Sequence, residues 1–306
     1  MENILTALWP VFLLIVTGFI LRRSEFVDEG FWLPAEKLSY YLLFPLLLIY
    51  KLSHAEIGTV PWSDVVIGVL VMLGCGTLLL QGVQKLLPVP GPAFTSVYQG
   101  GMRFNTYVGL ACCSALYGDQ GLAIAAVMVG LMIPLLNILC VMMFSIHVSA
   151  ERQSGSVVRS LVRNPLIIGC VVGIGLNVTG LGFPQLLESS AAMLTAMALP
   201  LALILVGAGV RLQVLRDGTG LVLYSSVIKL LFFPLVMAFY VLFFVDSGLV
   251  AAVLMLFSAM PTAPSAYILA RQLRGDAELM AMIITAQTLA AMLIMPAVLL
   301  IFEAVW

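Results

Sequence analysis

The residues best suited to handle a ligand lie in the run Ser258-Ala-Met-Pro261-Thr-Ala-Pro264-Ser-Ala-Tyr267. Two prolines three residues apart remove two backbone donors and clash with the preceding turn, so no straight helix passes through. Thr262 and Ser265 stand beside the break with hydroxyls able to meet the freed backbone groups. A second group, Arg103, Asn105 and Thr106, lies in another apolar run beside Gln99, Gly100 and Gly101. Asn137 and Gln287 are amides in two further apolar runs. The chemistry open to these groups is binding. An amide donates to a carboxylate, and a helix start offers unpaired N–H groups and the positive end of its dipole to an anion.

In lipid an interrupted helix is tolerated only where protein buries it or where it lines a watery cavity. A discontinuous membrane helix is also a pointer to a transporter's binding site. Each residue has a plainer use as well. Asn105 could make only an interhelical packing bond, worth about 0.6 kcal/mol in a membrane protein, and the prolines could only kink the helix. A double proline flanked by hydroxyls exceeds what a kink needs, so we read a site-forming break in which Pro261 and Pro264 shape the chain and Thr262, Ser265 and nearby free N–H groups face the ligand. Arg103 is the costliest residue to bury, and a charge inside a membrane is a functional hypothesis by default. It could equally snorkel towards water, and we read Lys229 in that second way.

These groups sit in a chain built for a bilayer. Of 306 residues, 62% are hydrophobic and 9% charged, with a mean hydropathy of +1.13; an ordinary soluble domain is roughly 25% charged. A crossing helix needs about 20 apolar residues. Too little polar sequence remains between the apolar runs for a soluble domain. A net charge of −1 argues against a nucleic-acid partner. Cys75, Cys112, Cys113, Cys140 and Cys170 fall inside apolar runs without zinc spacing or a disulfide framework, and read as small packing residues. His54 and His147 have no partners at ligand spacing, so we expect no metal and no cofactor.

The expected architecture is an all-α membrane protein of ten transmembrane helices, spans 1 to 10, at residues 4–21, 33–52, 62–87, 94–117, 120–148, 165–178, 186–210, 221–245, 249–272 and 277–302. A polar connector, 151–164, separates 1–150 from 165–306 and carries Glu151, Arg152, Arg159 and Arg163. The first apolar run follows Glu2, precedes Arg22 and Arg23 and lacks a small-residue cleavage site, so it reads as a membrane helix and not as a signal peptide. Asp119 and Asp276 open spans 5 and 10 and read as helix caps.

Charge placement orients the spans. With the N-terminus outside, the cytoplasmic loops and adjoining helix ends hold eleven basic residues, Arg271 and Arg274 among them, while the outside loops hold only Lys51. That satisfies the positive-inside rule and places both termini outside.

The chain also repeats itself. Pro10 and Pro45 are 35 residues apart, and so are Pro165 and Pro200. Gly118-Asp119 opens span 5 and Gly275-Asp276 opens span 10, so landmarks recur at offsets of 155 to 157 residues. Each half holds five spans, an odd number, so the halves insert with opposite orientation. Such an inverted repeat is a frequent plan of secondary transporters. Span 4 becomes the partner of span 9, and two interrupted helices cross near mid-membrane.

Several segments resemble the auxin efflux carrier family, which includes bacterial relatives and putative malonate transporters. The resemblance is best at Met260-Pro-Thr-Ala-Pro-Ser-Ala-Tyr-Ile-Leu-Ala270, continuing through Gly275-Asp-Ala-Glu278 to Thr285-Ala-Gln-Thr288, with Arg163-Asn-Pro165 and Arg103-Phe-Asn105 also similar. The family's usual proline after the span 4 asparagine is absent; this chain reads Gly109-Leu-Ala111. The resemblance implies the fold of bile-acid sodium symporters, with spans 1, 2, 6 and 7 as a scaffold and spans 3–5 and 8–10 as a transport domain. It also implies a small organic anion as substrate and a homodimer.

We therefore expect a secondary transporter of a small organic anion, working by alternating access in the cell's inner (plasma) membrane. With no Walker A pattern, ATP is not its direct energy source; proton coupling, sodium coupling and uniport all stay open. A channel or ligand-sensing receptor is the alternative. An intramembrane aspartyl enzyme is disfavoured, because Asp119 and Asp276 fall on opposite sides of roughly 30 Å of hydrocarbon.

Overall fold

Backbone without water must satisfy its own polar groups, and long apolar runs do so as helix. A computed structural model describes residues 2–56, 58, 60–148, 163–212 and 220–305, and every regular element among them is helical. In order these are α1 (Glu2–Arg23), α2 (Glu29–Leu38), α3 (Phe44–His54), α4 (Trp62–Leu86), α5 (Gly91–Met102), α6 (Thr106–His147), α7 (Pro165–Val178), α8 (Glu188–Ala208), α9 (Gly220–Val227), α10 (Phe233–Phe244), α11 (Gly248–Ser258), α12 (Ser265–Gln272) and α13 (Ala277–Val305). Among the described residues six helical stretches are long and apolar enough to cross a membrane, and α7 and α11 are shorter apolar helices. Most of the connector, with Arg152 and Arg159, and also Arg216, lies outside the described residues.

The prolines act in several ways, and Pro10, Pro34, Pro134, Pro200 and Pro296 stay inside helices. Pro45 and Pro234 each follow a five-residue π turn, Ser39–Leu43 between α2 and α3 and Ile228–Phe232 between α9 and α10. The wider turn absorbs the missing donor and the ring, so the chain stays helical. Pro165 is the first residue of α7, where a proline N–H is not needed. Asn164 caps that start, its Oδ1 accepting from the N–H of Leu166 at 2.9 Å and of Ile167 at 3.3 Å. Pro261 and Pro264 accompany a break between Ser258 and Ser265. Inside α6 the bend falls at Gly118, whose φ of 61° and ψ of −152° belong to a region that glycine alone occupies at ease.

The chain forms two compact units. The first comprises Met1–Val60, Tyr107–Ile133 and Val158–Gly209. Within it α1 packs on α8, and α3 on α7, at near-backbone contact. A Cβ on Gly18 would overlap the Ile204 carbonyl, and one on Gly207 the Ile15 carbonyl. A Cβ on Gly173 would lie 2.9 Å from the Leu48 oxygen and 3.0 Å from the Ile49 Cα. Glycine pairs of this kind let membrane helices approach closely. The Asn177 amide closes the end of α3 by donating to Leu52 O at 3.0 Å and Ala55 O at 2.7 Å.

Polar side chains in this unit pair at helix ends. Arg22 bonds Glu29, and His54 Nε2 lies 3.3 Å from Glu188. Lys51 Nζ lies 2.6 Å from Asp119 Oδ1. Asp119 thus acts as a salt-bridge partner instead of the cap expected for it, because the Gly118 bend aims it at α3. Asp276 does cap, accepting from the Leu279 N–H at 2.9 Å.

The second unit comprises Pro61–Thr106, Pro134–Val157 and Val210–Trp306. It holds α4, α5, the last part of α6 and α9 to α13. Its centre is the meeting of α5, α9 and α13 around Gly100. A Cβ there would collide with the Ser225 hydroxyl and come within 2.6 Å of Ile283 Cγ2, so glycine is what lets the three helices converge.

Candidate functional site

In the second unit two helices stop inside the apolar region and restart a few residues later. α5 ends at Met102 beside the weak helix formers Gly100 and Gly101, and Arg103 turns extended at φ −70° and ψ 153°. Its N–H still closes the last turn on Gln99 O at 2.8 Å. After Phe104 and Asn105, α6 begins at Thr106. Span 4 is thus interrupted even without the proline that the resemblance leads one to expect. α11 ends at Ser258, and α12 starts after Pro264, which occupies its N-cap position. A residue before proline avoids helical geometry, which keeps Met260 and Ala263 out of both helices.

The two interruptions are bonded to each other. The Asn105 N–H donates to Pro261 O at 2.7 Å. Thr262 Oγ1 donates to Gly100 O at 2.5 Å, and Gln287 Nε2 donates to the same carbonyl at 3.0 Å. Gln287 Oε1 in turn accepts from the Thr262 N–H at 3.0 Å. One amide on α13 therefore meets a carbonyl freed at the end of α5 and a donor freed by the break after α11. This supplies the partners that interrupted backbone requires in lipid.

Arg103 reaches away from that brace. Its Nη2 donates to Asn137 Oδ1 at 2.5 Å and its Nη1 to Ser265 Oγ at 3.3 Å, while Nε has no hydrogen-bond partner among the described residues. Its partners are neutral, and no carboxylate pairs with it among the described residues. The side chain is half-buried, as is Asn137, and Ser265 is exposed. A guanidinium has five donors in a flat fork suited to a carboxylate. Here the fork is held by Asn137, Ser265 and Cys140, all neutral, so its charge stays unneutralised among the described residues.

The expected residues therefore divide. Arg103, Asn137 and Ser265 come together around one cation. Asn105, Pro261, Thr262 and Gln287 come together as the brace, and all four are buried. For Thr262 and Gln287 this is a correction. Both were expected to face a ligand, yet each is fully buried and spends its polar groups on the protein. Thr106 opens α6 half-buried, and Pro264 is half-buried at the start of α12.

Lys229 requires a second correction. Instead of snorkelling it is fully buried in the π turn, its Nζ without a hydrogen-bond partner among the described residues and 5.0 Å from the Phe233 ring centre. Ser225 is a member that sequence reasoning misses. It donates to Val97 O at 3.3 Å and lies 3.4 Å from Gln287 Nε2. Serines commonly bond back within their own membrane helix, so nothing in the run marks this one out. Gln99 is likewise fully buried, its amide unpartnered among the described residues.

Set beside known families, residues 3–299 match the model described as membrane transport protein. No curated protein matches the chain.

Proposed function

This chain belongs to the membrane transport protein family, that of the auxin efflux carriers, and from that premise we propose that it carries a small organic anion, a carboxylate such as malonate or an auxin-like acid, across the membrane by alternating access. The observation that carries this reading is Arg103, a guanidinium set at a helix interruption with only neutral partners. A charge in such a place is costly until a counter-ion arrives. Asn137 and Ser265 hold the fork in place, and the helix starts at Thr106 and Ser265 present N–H groups and positive dipole ends. Asn105, Thr262 and Gln287 keep the interruption open.

Around this site we read ten crossing helices as two inverted five-helix repeats, 1–150 and 165–306. Supporting it, Gly18 meets Ile204 and Gly173 meets Ile49, and each partner is displaced by the same 155 residues that separate Pro10 from Pro165. One compact unit gathers α1 to α3, α7 and α8 together with Tyr107–Ile133 of α6, and the other gathers α4, α5, Pro134–Val157 and α9 to α13. The grouping of α1, α3, α7 and α8 is in keeping with a scaffold of spans 1, 2, 6 and 7, whereas Tyr107–Ile133, read as part of the transport domain, groups with them. The carrier works as a homodimer in the inner (plasma) membrane with both termini outside, and an ion gradient or the substrate's own gradient drives it.

Counterflow tests the proposal. Purified protein in liposomes preloaded with unlabelled malonate should take up labelled malonate saturably, and Arg103→Gln should abolish the exchange. Exchange no faster than in empty liposomes, across a panel of mono- and dicarboxylates, would overturn the reading. Currents without exchange would assign a channel instead.

A further inference from the structure

Gln99 is fully buried, and both ends of its amide lack a hydrogen-bond partner among the described residues. Other glutamines of the same unit are treated differently. Gln81 reaches Met143 Sδ through Nε2 and His147 Nε2 through Oε1, and Gln84 spends both amide atoms on the backbone of Val89. Gln287 likewise uses both on Gly100 and Thr262. A buried amide left unmade forfeits the hydrogen bonds it had in water. An apolar side chain of the same length would avoid that loss. Packing therefore gives no reason for an amide at this position.

Its place on α5 is fixed from both ends. Pro92, Ser96, Gln99 and Arg103 follow one another at helical spacing along one stripe. At the first end, Pro92 O accepts from the Asp276 N–H at 3.1 Å, and Ser96 Oγ donates to Asp276 O at 2.7 Å. At the other, Arg103 reaches Ser265 and Asn137. α12 packs against α5 between these points, and its buried residues, Ala266 and Ala270, carry no polar side chain. Gln99 and Arg103 are one turn apart, joined by the Arg103 N–H bond to Gln99 O at 2.8 Å. With φ at −70°, Arg103 keeps its Cβ where a helix would put it, and only ψ turns the chain away. Such a pair has Cβ atoms about 5–6 Å apart. Arg103 is half-buried beside exposed Ser265, so the site opens at Ser265 and Gln99 lies one turn deeper.

We propose that Gln99 is a specificity-determining residue of the Arg103 site, taking the hydroxyl of a hydroxylated carboxylate whose acid group Arg103 holds. The chemistry of the amide selects that group. It presents a donor and an acceptor side by side, and a hydroxyl both accepts and donates. A second carboxylate only accepts and would leave Oε1 without a donor, while a methylene meets neither end. Arg103 Nε, also unpartnered among the described residues, is a further donor for the acid group. A site built to bond a hydroxyl rejects the analogue lacking it, because its buried polar groups then stay unpaired. The inference rests on the carrier reading above and narrows its substrate class to hydroxy acids.

Malonate and hydroxymalonate differ by one hydroxyl and make matched probes. Purified wild type, Gln99→Met and Gln99→Leu are melted alone and in a titration of each acid. Wild type should bind hydroxymalonate about tenfold more tightly than malonate. In the variants the two acids should bind equally, with malonate affinity kept because Arg103 is intact. Equal affinities in wild type, or a preference that survives in the variants, overturns the proposal. Melting without ligand separates this role from a structural one. Both replacements remove an unmade amide, so at least one variant should melt at or above wild type. Both melting below it would show that the amide already has partners, and overturns the proposal. If neither acid shifts wild type, the carboxylate reading itself falls, and the ligand-free melting alone decides for or against a binding amide at Gln99.

Discussion

The backbone N–H of Asn105 donates to the carbonyl of Pro261 at 2.7 Å, tying the interruption that follows α5 to the one that follows α11. Each break supplies what the other lacks. Proline removes a donor from the second break but leaves its carbonyl. The first break keeps its donor because no proline occupies it. The site is therefore one structure with two strands of broken helix, and its parts are expected to fail together.

Thr262→Val should show this. Valine keeps the shape but removes the hydroxyl that reaches Gly100 O at 2.5 Å. A buried acceptor losing a partner costs about 1–3 kcal/mol, moderated here because Gln287 Nε2 still reaches the same oxygen. Thr262→Ser restores the donor and should melt close to wild type, with Thr262→Val clearly below it. Equal melting of the two variants would show that the hydroxyl contributes nothing.

The glycines of the first unit make a graded series. Gly18 leaves its Cβ no room against the Ile204 carbonyl, Gly173 leaves 2.9 Å to the Leu48 oxygen, and Gly175 faces open space. Backbone cannot step aside as a side chain can, so Gly18→Ala should destabilise most and Gly173→Ala less. Gly175→Ala should be neutral or gain up to about 1 kcal/mol from helix propensity. Thermal melting of the three in detergent checks the ranking, and a Gly18→Ala protein as stable as Gly175→Ala would contradict the close approach of α1 to α8.

Much of this architecture is legible in the residues alone. Apolar length and the proline and glycine stops place α7 at Pro165–Val178 and α4 at Trp62–Leu86, close to where hydropathy puts them. The double-proline break is legible for the same local reason. What resists reading is contact across helices. Nothing in the run around Gln287 says that its amide turns to Gly100 and Thr262 and not to a ligand, because periodicity gives a face and not a neighbour. Lys229 misleads in the same way. Its distance from the helix end suggests snorkelling, whereas packing by α5 and α13 seals it. The break after Met102 is expected only from the repeat, because no proline marks it locally.

Replacing Pro261 and Pro264 together by alanine restores two N–H donors and removes the clash that stops α11. The chain from residue 259 to 264 can then continue as helix, withdrawing the Pro261 carbonyl from Asn105 and the Thr262 donors from Gly100 and Gln287. Hydrogen exchange should become slower for amides 261–265 in the double variant, and malonate counterflow should be lost. If those amides exchange as in wild type, the prolines are not what holds the segment open.

The last prediction separates the charge of Arg103 from its fit. Asn137 Oδ1 accepts from the guanidinium at 2.5 Å as a neutral group. Asn137→Asp keeps size and geometry but places a carboxylate there, forming a bidentate-capable ion pair that neutralises the cation. An anion would then have to displace or share that charge, so malonate affinity should fall about tenfold or more, equivalent to about 1.4 kcal/mol. Folding should be preserved, because a charged pair in part-buried surroundings replaces a charge with only neutral partners. Arg103→Lys is the complementary change. A lysine keeps the charge but, as a point donor, cannot span Asn137 and Ser265 at once, so affinity should fall without loss of the positive field. Malonate titration followed by thermal shift reads both variants. Wild-type affinity in Asn137→Asp would mean that the anion binds elsewhere and that Arg103 serves only to pin α6 to α12.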